Sequence, residues 1–248
     1  MLNFIVIGSQ KCGTTWLFDK LKMHPRMYFP MGKEPGYWND NFYKGQVYRQ
    51  IYNGRMNGTV VKLNNYVCGE MSTLYSIMPP EQIENLCKHH PNIKLILMVR
   101  NPVERAWSAI NMHYKFNNMD ISELTEEKAI KAITGAKTAK LGQYDVIIKK
   151  WLKFYQKEQL QIIFFDDIQT KYQEILRDVS KHIGIEADFF EKIPDSLLKT
   201  PSMQGQKKAL SNHIYDTCID FYRPSIHFLS HYIGRNLDDW LKTTDKKI

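Results

Sequence analysis

The stretch IVIGSQKCGTTWLFDKL, residues 5–21, constrains the fold more than any other part of the chain. An apolar, β-branched run enters a turn containing Gly8 and Gly13, and a helical pattern leaves it. In such a strand–turn–helix unit the backbone N–H groups of the turn and of the helix start converge on one point, which favours an anion. The two glycines permit a tight turn and close backbone approach, and Thr14 and Thr15 add hydroxyl donors. The spacing follows the Walker pattern G-x-x-x-x-G-K-[ST] as far as the second glycine. There it departs, because position 14 is threonine and the lysine is Lys11, two residues ahead of Gly13. No convincing Walker-B aspartate for magnesium follows either. The loop suits a phosphate, but without the lysine that reaches a γ-phosphate.

The rest of the chain repeats the strand–helix alternation. Short apolar runs predict strands near Asn3–Gly8, Arg26–Phe29, Tyr66–Glu70, Lys94–Val99 and Gln161–Phe165. The runs IKLILMV and LQIIFF are nearly continuous, as in strands covered on both faces. Amphipathic stretches predict helices near Thr14–Met23, Pro80–His90, Pro102–Asn117, Gln143–Gln156 and Tyr172–Ile183. A last helix is expected over Lys207–Ile233, interrupted at Pro224. The fold class is therefore α/β: one domain over 1–248, with a central parallel sheet flanked by helices around a P-loop. Stretches 31–62 and 122–140 read as insertions, the first as a lid and the second as partly helical.

Composition narrows the function. A hydrophobic fraction of 43% supports a sizeable core, and 34 Lys+Arg against 26 Asp+Glu give a net charge of +8. That balance suits an anionic cofactor, an acidic substrate or nucleic acid. Its lysines are dispersed and no RRM, helix-turn-helix or zinc signature occurs, so no nucleic-acid partner is expected. The four cysteines, Cys12, Cys68, Cys87 and Cys218, are scattered and read as reduced thiols. An apolar run that begins by residue 3 leaves no room for a signal peptide, and no run is long enough to span a membrane. A cytoplasmic protein is the expectation.

A second phosphate element follows. LILMVRNPVERAWSAINMHY sets Arg100 after a buried strand and Ser108 on the helix beyond Pro102. A guanidinium gives planar, charge-assisted bonds to phosphate, and a helical serine can meet the same group. Together, QKCGTTW and RNPVERAWS resemble the 5′- and 3′-phosphate elements of sulfotransferases that use 3′-phosphoadenosine 5′-phosphosulfate (PAPS). KEPGYW (33–38) resembles the K-E-x-x-[FY]-[FW] stretch of the carbohydrate-type branch, and GEMSTLY (69–75) resembles its E-K-[ST]-P-x-Y segment. LGQYDVIIKKWLKFYQKEQLQIIFFDDI and FYRPSIHFLSHYIGRNLDDW resemble the family's later helices and closing Trp. The similarity is nearest to the heparan-sulfate-like and bacterial members. Two departures stand out. The late 3′-phosphate loop, usually rich in Arg, Lys and Gly, corresponds to SMQGQKKAL, and Met71 and Thr73 replace the lysine and proline of E-K-[ST]-P.

The resemblance implies sulfuryl transfer from PAPS to a hydroxyl or amine, leaving adenosine 3′,5′-bisphosphate, with no metal. It implies that Lys11, Cys12, Gly13, Thr14, Thr15, Arg100, Ser108, Gly205 and Lys207 hold the nucleotide. Lys11 would meet charge developing on the bridging oxygen, and Glu70 would act as general base. Trp16 has two readings, adenine stacking or core packing. Lys33, Tyr37, Trp38, Lys62 and His113 are acceptor-side candidates for a small-molecule or carbohydrate substrate. His24, His89, His90 and His113 rank below Glu70 as bases. A P-loop kinase or NTPase is the main alternative, and it needs a Walker lysine; a basic, non-catalytic nucleic-acid-binding protein is the second.

Overall fold

The computed structural model describes residues 2–39, 54, 65–199 and 209–243. Its chain forms two compact units, each built from separate stretches: 1–98 with 151–202, and 99–150 with 203–248.

The first unit carries the sheet. Strands β1 (Phe4–Gly8), β2 (Met27–Tyr28), β3 (Val67–Met71), β4 (Lys94–Val99) and β5 (Leu160–Phe164) lie in the order β2-β3-β1-β4-β5. β1 pairs in parallel with both β3 and β4, with Ile5 opposite Glu70 and Leu95, and β2 pairs in parallel with β3. Alternate residues of a strand face opposite sides. Phe4, Val6, Ile96 and Met98 join one core cluster with Leu17 and Leu21 of helix α1 (Thr14–Leu21) and Leu176 and Val179 of a helix over Tyr172–Ile183. The intervening Ile5, Ile7, Leu95 and Leu97 are just as buried, which explains the unbroken apolar runs. The chain leaves β1 towards β2 on one side and leaves β4 towards β5 on the other. Such a topological switch point, here between β1 and β4, is where open parallel sheets place ligands, outside the carboxyl ends of the strands. Helix α2 (Pro80–His89) precedes β4.

The second unit is helical: α3 (Pro102–Phe116), α4 (Glu126–Thr134), α5 (Ala136–Ala139), α6 (Tyr144–Trp151, its last residue in the first unit) and, after α7 (Tyr172–Ile183) and α8 (Asp195–Lys199) of the first unit, α9 (Asn212–Ile233). One expectation changes here. Pro224 does not interrupt α9, because Ile219, Tyr222, Ile226 and Leu229 on both sides of it are buried on one face and hold the helix straight through. The 122–140 insertion is built into this unit: the Tyr222 hydroxyl donates to the Ile133 carbonyl (2.7 Å), and Ser211 Oγ to Glu126 (2.6 Å). Of the 31–62 insertion, positions 40–53 and 55–62 lie outside the described residues.

Candidate active site

The loop leaving β1 is shaped by backbone conformation. Gly8 (φ 131°), Lys11 (φ 67°) and Gly13 (φ 88°) all have positive φ. A Cβ on Gly13 would come within 2.5 Å of Ile168 Cδ1, which would have to move, and the φ of 88° strains any other residue there. The loop is tied to β4 where the Ser9 N–H donates to the Met98 carbonyl (2.9 Å). Gly13 is also the N-cap of α1. It brings no capping side chain, and the first turn holds no acidic residue. The first N–H groups of a helix have no partner within it, so this helix start is electrostatically suited to an outside anion. The side chains of Cys12 and Thr14 are buried and Thr15 is half-buried, which leaves backbone amides as the principal donors of the loop.

Trp16 takes the second of its two readings. It sits in the core, and its indole N–H donates to the Leu198 carbonyl (2.8 Å), so the adenine-stacking expectation finds no support in its contacts. One turn later the Lys20 ammonium donates to the Leu197 carbonyl (2.6 Å). Burial lowers the Lys20 pKa, only partly opposed by Asp19.

The two acceptor-side stretches, residues 33–38 and 69–75, are bound to each other. The Glu34 N–H donates to the Met71 carbonyl (2.8 Å), and the Glu34 carboxylate accepts from the Thr73 N–H (2.8 Å) and hydroxyl (3.2 Å). Lys33 Nζ reaches the other carboxylate oxygen at 2.5 Å. The Glu34 side chain is 38% exposed. Glu70 contrasts with it: it lies within β3, only 2% exposed, and accepts a hydrogen bond from the Tyr75 hydroxyl. That hydroxyl also accepts from the Trp38 N–H (3.3 Å), so Glu70 fixes the position of the KEPGYW stretch through Tyr75. Tyr37 and Trp38 pack edge to face at 4.9 Å. Glu34, the E of the K-E-x-x-[FY]-[FW] resemblance though not named among the acceptor-side candidates, is thus the residue of this stretch that ties Lys33 to Thr73.

In the second unit Arg100 follows β4 directly. Its backbone N–H donates to the Tyr144 hydroxyl (3.1 Å), and that hydroxyl donates to the Arg100 carbonyl (2.6 Å). The guanidinium meets the Glu104 carboxylate at 3.2 Å, and both side chains are buried. Asn101 caps α3: its Oδ1 accepts from Val103 N (3.0 Å) and Glu104 N (3.3 Å), while its Nδ2 donates to the Tyr215 hydroxyl (2.6 Å) and the Trp240 carbonyl (3.1 Å). Ser108 stands one turn after Glu104 on α3, half-buried. His113 is exposed further along α3 and contacts Asn117.

Other expected residues fall elsewhere. His24 is buried against Phe189 and Glu186, with its pKa lowered by burial. His89 and His90 flank Trp38 at 5.9 and 5.5 Å. Lys62, Gly205 and Lys207 lie outside the described residues. Among the described residues there is no group of His, Cys, Asp or Glu able to hold a metal ion, and no helix long and apolar enough to cross a membrane.

A parallel sheet with a glycine-capped phosphate loop at its switch point defines a P-loop-type α/β protein. The chain belongs to the sulfotransferase domain family, which matches residues 3–218. It is similar to carbohydrate sulfotransferase 15 of Homo sapiens, 23% identical over 310 residues, covering 98% of this chain and 55% of that protein. The chain spans about half the length of the curated relatives it matches first. Among solved structures, a sulfotransferase from Alicyclobacillus acidocaldarius shares the fold with a TM-score of 0.71 at 24% identity, over 98% of this chain and 99% of that one. Mouse sulfotransferase SULT7A1, complexed with PAP, gives a TM-score of 0.51 at 13% identity, over 98% and 85%.

Proposed function

We propose that the protein transfers the sulfuryl group of PAPS to a carbohydrate hydroxyl or amine. The observation that carries this reading is the start of α1: a helix opened by a glycine with no side-chain cap, after β1 at the switch point, in a chain of the sulfotransferase domain family. The PAP complex of a fold relative and the carbohydrate named for a sequence relative support the donor and the acceptor class. The reading gives the 5′-phosphate to the loop amides of Lys11–Thr15. The 3′-phosphate goes to Arg100 and Ser108, with Gly205 and Lys207 assigned to it from sequence alone. The four cysteines are free thiols, which supports a reducing, cytoplasmic setting.

In the reaction the acceptor oxygen or nitrogen forms a bond to sulfur as the sulfur–oxygen bond to the 5′-phosphate breaks, and the bonding pair leaves on that phosphate. Lys11 stabilises the charge arriving there. The acceptor proton passes to a carboxylate. Sequence resemblance gives that role to Glu70, but a base must reach the proton it takes, and exposure favours Glu34. In this reading Glu70 acts through Tyr75 to hold the 33–38 stretch, and Glu34, adjusted by Lys33 and Thr73, takes the proton.

Transfer of labelled sulfate from PAPS to a carbohydrate panel tests both levels. Absence of transfer together with absence of bisphosphate binding rejects the function. With a working acceptor, Glu34→Gln is expected to lower kcat about 10²–10⁴-fold while leaving bisphosphate binding in place. If Glu70→Gln does so while Glu34→Gln keeps near-normal turnover, the base is Glu70.

A further inference from the structure

We propose that Tyr144 is a positioning residue for 3′-phosphate recognition, its single hydroxyl fixing the backbone of Arg100 so that the guanidinium leaves the β4–α3 junction in one direction. The inference rests on the reading of Arg100 as a 3′-phosphate ligand.

Arg100 lies between β4, which ends at Val99, and α3, which begins at Pro102. A buried backbone group at such a junction needs a partner from elsewhere. Tyr144 supplies both at once, accepting from the N–H at 3.1 Å and donating to the carbonyl at 2.6 Å. The hydroxyl comes from a fully buried side chain at the first residue of α6, so it has little freedom to follow a wandering backbone. Two residues earlier, Gly142 brings the start of α6 against α3. A Cβ at 142 would meet Pro102 Cβ at 3.0 Å and Tyr222 Cε1 at 3.1 Å. The glycine therefore sets the approach, and the tyrosine uses it. Glu104 then holds the far end of the Arg100 side chain, one helical turn on. A guanidinium binds phosphate well only when its planar fork is aligned, and Arg100 is held at both ends of its length.

The test compares two ligands by calorimetric titration of the full chain: adenosine 3′,5′-bisphosphate, and adenosine 5′-monophosphate, which lacks the 3′-phosphate. The wild-type protein is expected to prefer the bisphosphate. Tyr144→Phe, which removes one oxygen, should cut that preference about tenfold while leaving the monophosphate Kd within about twofold. A general loosening of the unit would weaken both ligands alike, and that result, or an unchanged preference, overturns the proposal. If Tyr144→Phe does not fold, Gly142→Ala perturbs the same approach and carries the same expectation and the same refutation. A wild-type protein that binds the bisphosphate no better than the monophosphate rejects the 3′-phosphate reading itself and the proposal with it. That failure is seen before any variant is made.

Discussion

Two strand-to-helix junctions in this chain are capped by opposite means. After β1 the helix is capped by Gly13, which contributes no side chain, so the amides of the first turn stay available to a ligand. After β4 the helix is capped by Asn101, whose carboxamide oxygen takes the Val103 and Glu104 amides, with Pro102 at the first helical position. The first helix start suits an anion, while Asn101 occupies amides at the second. A phosphate near α3 must accordingly be met by side chains, and the residues at hand are Arg100 and Ser108. In the function proposed above, the first junction recognises phosphate through backbone, and its sequence requirement is glycine. In the same proposal the second recognises it through side chains, and its requirement is a set of partners that hold one arginine still.

Of the two junctions, the backbone-built one is expected to show the larger effect. Lys11→Ala should lower kcat by about 10²–10³-fold, the usual loss when one donor to developing charge is removed. The bisphosphate Kd should change far less, because the loop amides remain. Steady-state kinetics beside calorimetry measures the split; a loss of affinity with kcat unchanged would mean that Lys11 binds ground and transition states equally, and the contrast between the junctions would blur.

The second effect concerns stability. Asn101→Ala removes a helix cap and two further hydrogen bonds, while the Tyr215 hydroxyl keeps its bond to the Trp240 carbonyl (2.7 Å), a cost of about 2 kcal/mol, or a fall in Tm of about 4–8 °C for a chain of this size. Thermal unfolding followed by circular dichroism reads it. A change of under about 1 kcal/mol would show that the cap is not what closes α3.

How far the junctions were legible in the sequence follows from the same contrast. The loop after β1 is local: glycine spacing, the apolar run before it and the helical pattern after it all lie within residues 5–21, and β1 and α1 form where that pattern puts them. β4 and α7 fall on the expected residues because continuous or strongly periodic burial leaves little choice. The partners at the second junction come from afar. Tyr144 is 44 positions from Arg100, and Tyr215 is 114 from Asn101. Nothing in RNPVERAWS announces them. Glu34 stands in the K-E-x-x-[FY]-[FW] resemblance, but its Thr73 partner is 39 positions away and the motif does not announce it. α6 stops at Trp151, short of the periodic pattern that runs to Gln156, because the chain turns there to stack Tyr155 on Trp151 and to offer the Phe154 carbonyl to Cys87.

The smallest effect separates the strands that feed the two junctions. The start of β4 is flanked by His90, whose pKa is lowered to about 4 by burial first and by neighbouring positive charge second. His182, lowered by burial, contacts the Leu95 carbonyl at 3.1 Å. An unfolded chain protonates these imidazoles near pH 6.5, the folded chain only at lower pH. Acidification from about 6.5 towards 4 therefore favours unfolding, and the loss contributed by His90 levels off below about 4, where both states are protonated. Tm should fall by only a few degrees across this window, and His90→Gln should remove part of the slope while leaving Tm near neutral pH almost unchanged. A variant with the full wild-type slope would place the acid sensitivity elsewhere, with His24 beside Glu186 the next group to examine. β4 would then lose its distinction from β1 as the strand whose fixing depends on pH.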